Sequence, residues 1–287
     1  MDRDEFVALM TPDGLSLLAE TRFDAKADVV KLVSELRSKG HSPAVVAAVL
    51  SQAKLRRRAE AKFGEFSTRM LFTEPGLEQA SRLKVAALHA GRFRDAGCSS
   101  VADLGCGIGT ESLAFASLGL KVEAFELDEV TAAIATYNLA PFENATVHQA
   151  DVTSIDTAKF DGLFFDPARR ELGGPKSARA VRKFDPADYS PNFDWVLERT
   201  KGKTAGIKLG PGHPHEAIAE GCEAQWVSVN GDLVECSLWF GAAARQGVAR
   251  SAMLLDATGA HLLDSATGVR TDAPVGELKE YVHEPDA

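Results

Sequence analysis

The 287-residue sequence predicts an α/β protein: a doubly wound sheet of seven strands, a helical domain before it and a β-hairpin extension after it. Three observations lead there. From residue 99 onward, short apolar runs alternate with helix-like stretches, the pattern of a parallel sheet covered on both faces. One junction, Val101-Ala-Asp-Leu-Gly-Cys-Gly-Ile-Gly-Thr110, carries glycines at three alternate positions. Two later strands are joined by Asn230-Gly231-Asp232, the turn chemistry of an antiparallel hairpin.

The elements follow in order. Residues 1–70 read as helices. Ser42 before Pro43 marks a helix start running to about Phe63. Val45, Ala48, Val49, Leu55, Ala59 and Phe63 share one side, and Val46, Leu50 and Ala53 add a second apolar strip to the first half only. Lys54, Arg58 and Lys62 fall four apart on the other side, either a solvated face or a strip for phosphates. Gly64 ends the helix. Residues 65–80 form a connecting loop anchored by Phe66, Leu71 and Phe72, and Ser81 can cap a helix to about Ala96.

Strands are expected at Val101–Leu104, Lys121–Glu126, Ala145–Gln149, Gly162–Phe165 and Ala205–Leu209, with helices at Thr110–Leu118, Asp128–Leu139 and Asp194–Arg199 between them. A loop over 166–191 is too long for ordinary packing, which points to function. A short helix at Glu216–Glu220 precedes the antiparallel pair Ala224–Val229 and Leu233–Phe240. A further hairpin, Arg250–Asp256 with Ala260–Asp264, follows. The division is 1–70, 71–241 and 242–287.

At the glycine junction, Gly105, Gly107 and Gly109 let the chain turn tightly and approach a ligand without a Cβ in the way. The next helix offers its free N–H groups. Dinucleotide sites favour G-x-G-x-x-G; here the third glycine comes one residue early. Asp103, two positions before the first glycine, is the pattern of S-adenosylmethionine (SAM) sites, where the acid engages the charged methionine part. Glu126 ends the second strand, where a carboxylate accepts from both ribose hydroxyls; a plain surface acid is the alternative. Asp128 is a second candidate or a helix cap. Asp151 follows the third strand, beside the adenine, or caps a turn.

After the fourth strand comes Asp166-Pro167-Ala168-Arg169-Arg170. Amino-methylating SAM enzymes place Asn/Asp/Ser-Pro-Pro-aromatic there. The Asp166 side chain and the Pro167 carbonyl can both accept from an amino group, drawing its nitrogen into line with the sulfonium methyl. An Asp-Pro turn without chemistry is the alternative. Ala168-Arg169 stands where those enzymes carry proline and an aromatic, so Arg169 is left to stack through its guanidinium or hold a phosphate. Lys208 ends the fifth strand, where ligands gather. His213 and His215, with no third ligand nearby, read as loop structure and not as a metal site.

The net charge of −9 is unevenly spread: residues 31–70 carry nine Lys/Arg against three Glu. A basic appendage on an acidic body suits an RNA partner. No run of 18 apolar residues occurs and the start, Met1-Asp-Arg-Asp-Glu5, is too acidic for a secretion signal, so no membrane role is expected. Four scattered cysteines without a C-x-x-C pair indicate reduced thiols in a cytoplasm.

Ala61-Lys-Phe-Gly64, Leu71-Phe-Thr73 with Gly76-Leu-Glu-Gln79, Asp103 to Gly109, Phe165-Asp-Pro-Ala-Arg-Arg170, Gln225 to Gly231 and Glu235-Cys-Ser-Leu-Trp239 together resemble the bacterial class I SAM-dependent methyltransferases with a THUMP-like C-terminal domain. More distantly, the order of segments is similar to the cap trimethylguanosine synthases, which methylate guanine N2 in RNA. The resemblance implies a Rossmann-like seven-stranded methyltransferase sheet, SAM as cofactor and an exocyclic amine in RNA as acceptor. It sets Glu78 and Ser81 near the methionine end of the cofactor and Phe72, Arg169, Arg170 and Lys208 toward substrate. Thr110-Glu111 stands where relatives often have Gly-Asp, and Tyr281 to Asp286 matches the entry into the THUMP-like domain. A methyltransferase for a small molecule or a protein, and a non-catalytic SAM-fold module, are the alternatives.

Overall fold

The computed structural model describes residues 1–23, 29–167 and 189–267. Helices α1 (Arg3–Leu9), α2 (Pro12–Glu20), α3 (Val29–Ser38) and α4 (Pro43–Phe63) build the N-terminal part. Ser42 caps α4 by accepting from the Val45 N–H, as its sequence requires. The first half of α4 is buried on two strips and the second half on one.

The connecting segment is more ordered than a loop. A 3₁₀ turn spans Gly64–Arg69 and α5 spans Glu74–Gln79, capped by Thr73 with Pro75 in its first turn. Phe66 is 52% exposed and anchors nothing, whereas Leu71 and Phe72 are wholly buried. Helix α6 (Leu83–Asp95) leads to the sheet, and its N-cap residue is Arg82, not Ser81.

Strands β1 (Ser100–Leu104), β2 (Lys121–Glu126), β3 (Ala145–Gln149), β4 (Gly162–Phe165), β5 (Thr204–Leu209), β6 (Glu223–Val229), β7 (Asp232–Phe240), β8 (Arg250–Leu255) and β9 (Ala260–Asp264) form one sheet of nine, ordered β3-β2-β1-β4-β5-β7-β6-β8-β9. The first five are parallel and β7 runs antiparallel to both β5 and β6. Asn230 and Gly231 take the positive φ values, 55° and 85°, that the tight hairpin turn demands. The expected count of seven is corrected by the last hairpin, which does not stand apart. β8 pairs in parallel with β6, whose second edge would otherwise be open, and β9 follows antiparallel.

Helix α7 (Thr110–Ser117), α8 (Glu129–Leu139) and α9 (Phe193–Thr200) cover the sheet, and the short stretch at His215–Ala217 is a single 3₁₀ turn. One core cluster joins the N-terminal helices to one face of the sheet through residues such as Phe63, Phe72, Phe93, Phe115 and Trp239. A second fills the other face around Phe165, Phe193 and Leu238. The strand order reverses between β1 and β4, so the carboxyl ends of these strands part and open a crevice.

Among the described residues no helix is long and apolar enough to cross a membrane, and no group of three His, Cys, Asp or Glu is placed to hold a metal. The four cysteines are free thiols.

Candidate functional site

The crevice has a volume of about 750 Å³, in the range of small-molecule sites. Its floor is the glycine junction. Gly105, Gly107 and Gly109 all have positive φ, 97°, 55° and 86°. At Gly105 a Cβ would also come within 3.0 Å of the Asp166 carbonyl oxygen, so the two strand ends approach as closely as they do because that side chain is missing. Gly109 is the N-cap of α7 and shapes the turn from behind, packed near Ala135 and Leu139.

Asp103, the last but one residue of β1, is wholly buried. Its Oδ2 accepts from the Ser112 hydroxyl at 2.5 Å, while Oδ1 has no hydrogen-bond partner. Burial, reinforced by Glu111 and Asp166, pushes this carboxyl up to about 7 despite the pull of Ser112. Thr110 Oγ1 and Glu111 Oε1 are likewise buried without partners, and all three residues line the crevice. Orphaned acceptors of this kind cost about 1–3 kcal/mol each; a ligand carrying a cationic N–H₃ group removes that cost. The methionine end of SAM has such a group, so these residues fit the cofactor.

Glu126 ends β2 and accepts from the Gly107 N–H and the Asp128 N–H, both at 3.0 Å. It thereby ties the glycine turn to the start of α8, and burial raises its pKa. Asp128 is the cap of α8, accepting from the Thr131 N–H at 2.8 Å. Asp151 lines the crevice and caps a 3₁₀ turn through the Thr153 N–H and hydroxyl, whose hydrogen bonds lower its pKa.

Asp166 and Lys208 close the opposite wall. They form an ion pair at 2.6 Å, and the ammonium also donates to the Gln79 carbonyl at 3.2 Å. Burial alone would push the Lys208 ammonium down; Asp166, then Glu111 and Glu235, outweigh it and hold the pKa above the usual lysine value. Pro167 is buried and is not among the residues that line the crevice. Arg169 and Arg170 lie outside the described residues.

Three expectations need correction. Ser81 lines the crevice, but its hydroxyl donates to Glu235 Oε2 at 3.4 Å and caps no helix. Glu78 is exposed on α5 and is not on the crevice wall; its neighbours Gly76, Gln79 and Ala80 are. Phe72 lies in the core, its ring 5.4 Å from Phe63 and its backbone held by Gln52, so it cannot touch a substrate. Its position follows from α4, whose buried Gln52 needs a backbone partner.

Beneath the crevice lies a network that sequence reasoning missed. The buried His89 ring on α6 has Nδ1 at 3.1 Å from Glu111 Oε2 and Nε2 at 2.7 Å from Glu235 Oε1. Burial disfavours its charge, but Glu235 and Glu111 outweigh burial and raise its pKa to about 10. Ser237 adds a hydrogen bond to Glu235 at 3.0 Å. The one sequence signal was Glu235 on an otherwise apolar strand, on the same face as Ser237 and Trp239.

Lys62 also departs from the exposed strip. It donates to the carbonyls of Leu77, Glu78 and Ala80 at 2.7–2.8 Å, satisfying the end of α5. Burial, with Lys208 and Arg82 near, lowers its pKa to about 8. Of the two loop histidines, His213 is buried, with its pKa lowered by burial, and His215 stacks on Trp226 at 4.9 Å.

This fold and crevice have recognisable kin. Over 212 residues, 70% of the chain, the sequence is 35% identical to an uncharacterized SAM-dependent methyltransferase of Mycobacterium tuberculosis, in strains CDC 1551 and H37Rv alike. The chain spans 56% of the length of these curated relatives. A Porphyromonas gingivalis W83 crystal structure described as a candidate methyltransferase superposes with a TM-score of 0.60 at 18% identity, covering 86% of this chain and 67% of that one. The model of a domain of unknown function, DUF8688, matches residues 2–59. The chain is thus similar in sequence to a SAM-dependent methyltransferase and shares its fold with a candidate methyltransferase structure.

Proposed function

We propose that this protein transfers a methyl group from SAM to an exocyclic amino nitrogen of a base in RNA, with chemistry of the guanine N2 kind. The observation that supports the reading is Asp166 after β4, on the crevice wall that Asp103 with its unpartnered oxygen also lines, with Pro167 next in the chain. SAM supplies an electrophilic methyl group on a sulfonium that is already a good leaving group. The protein's part is therefore binding and alignment.

Asp103 and Glu126 take the methionine and ribose ends, and Asp151 the adenine. Glu111 and Ser81 bound the methionine end. Lys208 occupies Asp166 Oδ2. That leaves Oδ1 and the Pro167 carbonyl to accept the two N–H bonds of an amino group and hold its nitrogen toward the methyl. Arg169 and Arg170 would meet the substrate beyond. Residues 1–70 are read as an N-terminal helical domain, 71–241 as the methyltransferase domain and 242–287 as a C-terminal β extension that starts a THUMP-like domain. RNA as partner rests on the nine Lys/Arg against three Glu over residues 31–70.

A small-molecule or protein amine is the second reading. It is favoured by the crevice wall, which among the described residues has no aromatic side chain on which a base could stack. Tritiated SAM offered in parallel to total RNA, small-molecule extract and protein from a deletion strain separates the readings. Label in RNA, lost in Asp166→Ala with SAM affinity nearly unchanged, is the expected result. Label only in another fraction refutes the RNA reading, and no label in any fraction refutes methyl transfer.

A further inference from the structure

A second cavity, of about 590 Å³, opens between α2, α4, the 3₁₀ turn before α5, and α8. Four arginines converge on it, Arg22, Arg56, Arg57 and Arg69, against one carboxylate, Glu60. Glu60 pairs with Arg57. Arg56 is set in place by donating to the Met70 carbonyl at 2.9 Å and by a hydrogen bond with the Tyr137 hydroxyl. Among the described residues Arg22 and Arg69 are exposed and make no ion pair. Phe23 and Tyr137 add aromatic surface between the guanidinium groups.

The regular strip of basic residues on α4 does not do this work. Lys62 is spent on three carbonyls and Arg58 pairs with Glu74. Of that strip Lys54 alone is exposed without a partner among the described residues, whereas the converging guanidinium groups lie on a different face of α4, at a cleft. That cleft is distinct from the SAM crevice but shares α8 with it: Thr131 lines the crevice and Tyr137 the cleft. Six residues of helix separate them, about 9 Å of rise.

We propose that this cleft binds the phosphodiester backbone of RNA. The inference rests on the RNA reading above and adds a place for it. Planar guanidinium forks suit phosphate oxygens, and ring faces beside them suit a nucleotide's base better than an acidic peptide's side chains. A cavity of this volume admits a nucleotide unit.

The test uses the full chain and a fluorescein-labelled single-stranded RNA of about 20 nucleotides, with anisotropy read between about 50 and 200 mM salt. For Arg22→Gln/Arg69→Gln the slope of log affinity on log salt should flatten by about 1.4, two phosphate contacts at about 0.7 each. Affinity at the lower salt should fall on the order of tenfold, with SAM binding by calorimetry unchanged. Arg22→Lys/Arg69→Lys should restore the slope, since charge and not the fork sets it. Unchanged slope and affinity in the glutamine pair overturn the proposal. So does an equal flattening per charge in Arg94→Gln, which would mark a general charge effect, or tight binding of polyglutamate with none of RNA. If the cleft variants lose RNA as expected while wild type transfers no methyl to RNA, the cleft stands and the methyl-transfer reading fails. RNA methylation by wild type with binding intact in the glutamine pair has the opposite meaning.

Discussion

The Lys208–Asp166 pair gives the most demanding test of the site's electrostatics. Its two side chains differ in burial, 6% exposed for Lys208 and 27% for Asp166. Stranding a buried charge costs about 3–5 kcal/mol. Asp166→Asn leaves the ammonium with neutral acceptors only, the Asn amide oxygen and the Gln79 carbonyl at 3.2 Å, and with the more distant Glu111 and Glu235 for counter-charge, so we expect the lower end of that range, about 3 kcal/mol. Lys208→Met leaves a carboxylate that water reaches, and should cost less, about 1.5 kcal/mol. The double variant strands no charge and should cost about 1.5 kcal/mol, not the sum of about 4.5, a coupling of about 3 kcal/mol. Urea denaturation of the four proteins measures this, and melting should show Asp166→Asn lower by about 6–12 °C. Additivity within about 0.5 kcal/mol, or a larger loss for Lys208→Met than for Asp166→Asn, would refute the reasoning.

Two pH dependences follow from the buried groups. His89 titrates at about 10 in the folded protein against 6.5 ordinarily. The stability it contributes is whole below the ordinary value and lost as pH rises toward the folded one, at no more than about 1.4 kcal/mol per unit. Urea midpoints should fall from neutral pH to about 10, and His89→Gln should flatten the decline; a midpoint that rises over this window contradicts the ion triad. For Asp103, raised from 3.8 to about 7, a cationic ligand on Oδ1 favours the ionised form. SAM binding should then release up to about one proton below that pH and weaken as pH falls through it. Calorimetry in buffers of different ionisation enthalpy detects the release, and Asp103→Asn should abolish it. Equal heats in all buffers would remove Asp103 from the cofactor's cationic end.

The sheet was legible because its strands are short runs rich in apolar residues that end at or near glycine, acid or proline, and Lys121–Glu126, Ala145–Gln149, Gly162–Phe165 and Ala260–Asp264 match their expected bounds. Asp103, Glu126 and Asp166 could be placed at the crevice because each lies within one residue of a strand's carboxyl end, which is fixed once the strand is. Ser81 misled because a capping pattern is local, whereas its partner Glu235 is 154 residues away. The His89 triad was invisible for the same reason, assembled from α6, α7 and β7 by the sheet itself. Helix α5 escaped notice at six residues, although Thr73 before Glu-Pro-Gly76 is a fair starting signal. The joining of the last hairpin to β6 was not written in either segment, since it pairs residues some 26 apart through backbone groups that every residue carries.

That joining decides where the chain can be cut. A protein ended after Phe240 would bare the outer edge of β6 along the six residues, Ala224–Val229, that β8 covers. Its unmet N–H and C=O groups would invite a second molecule to dock strand against strand. Shortened versions meant to isolate the catalytic half should therefore keep residues through Asp264, or they will gather into dimers and larger aggregates for reasons unrelated to their chemistry.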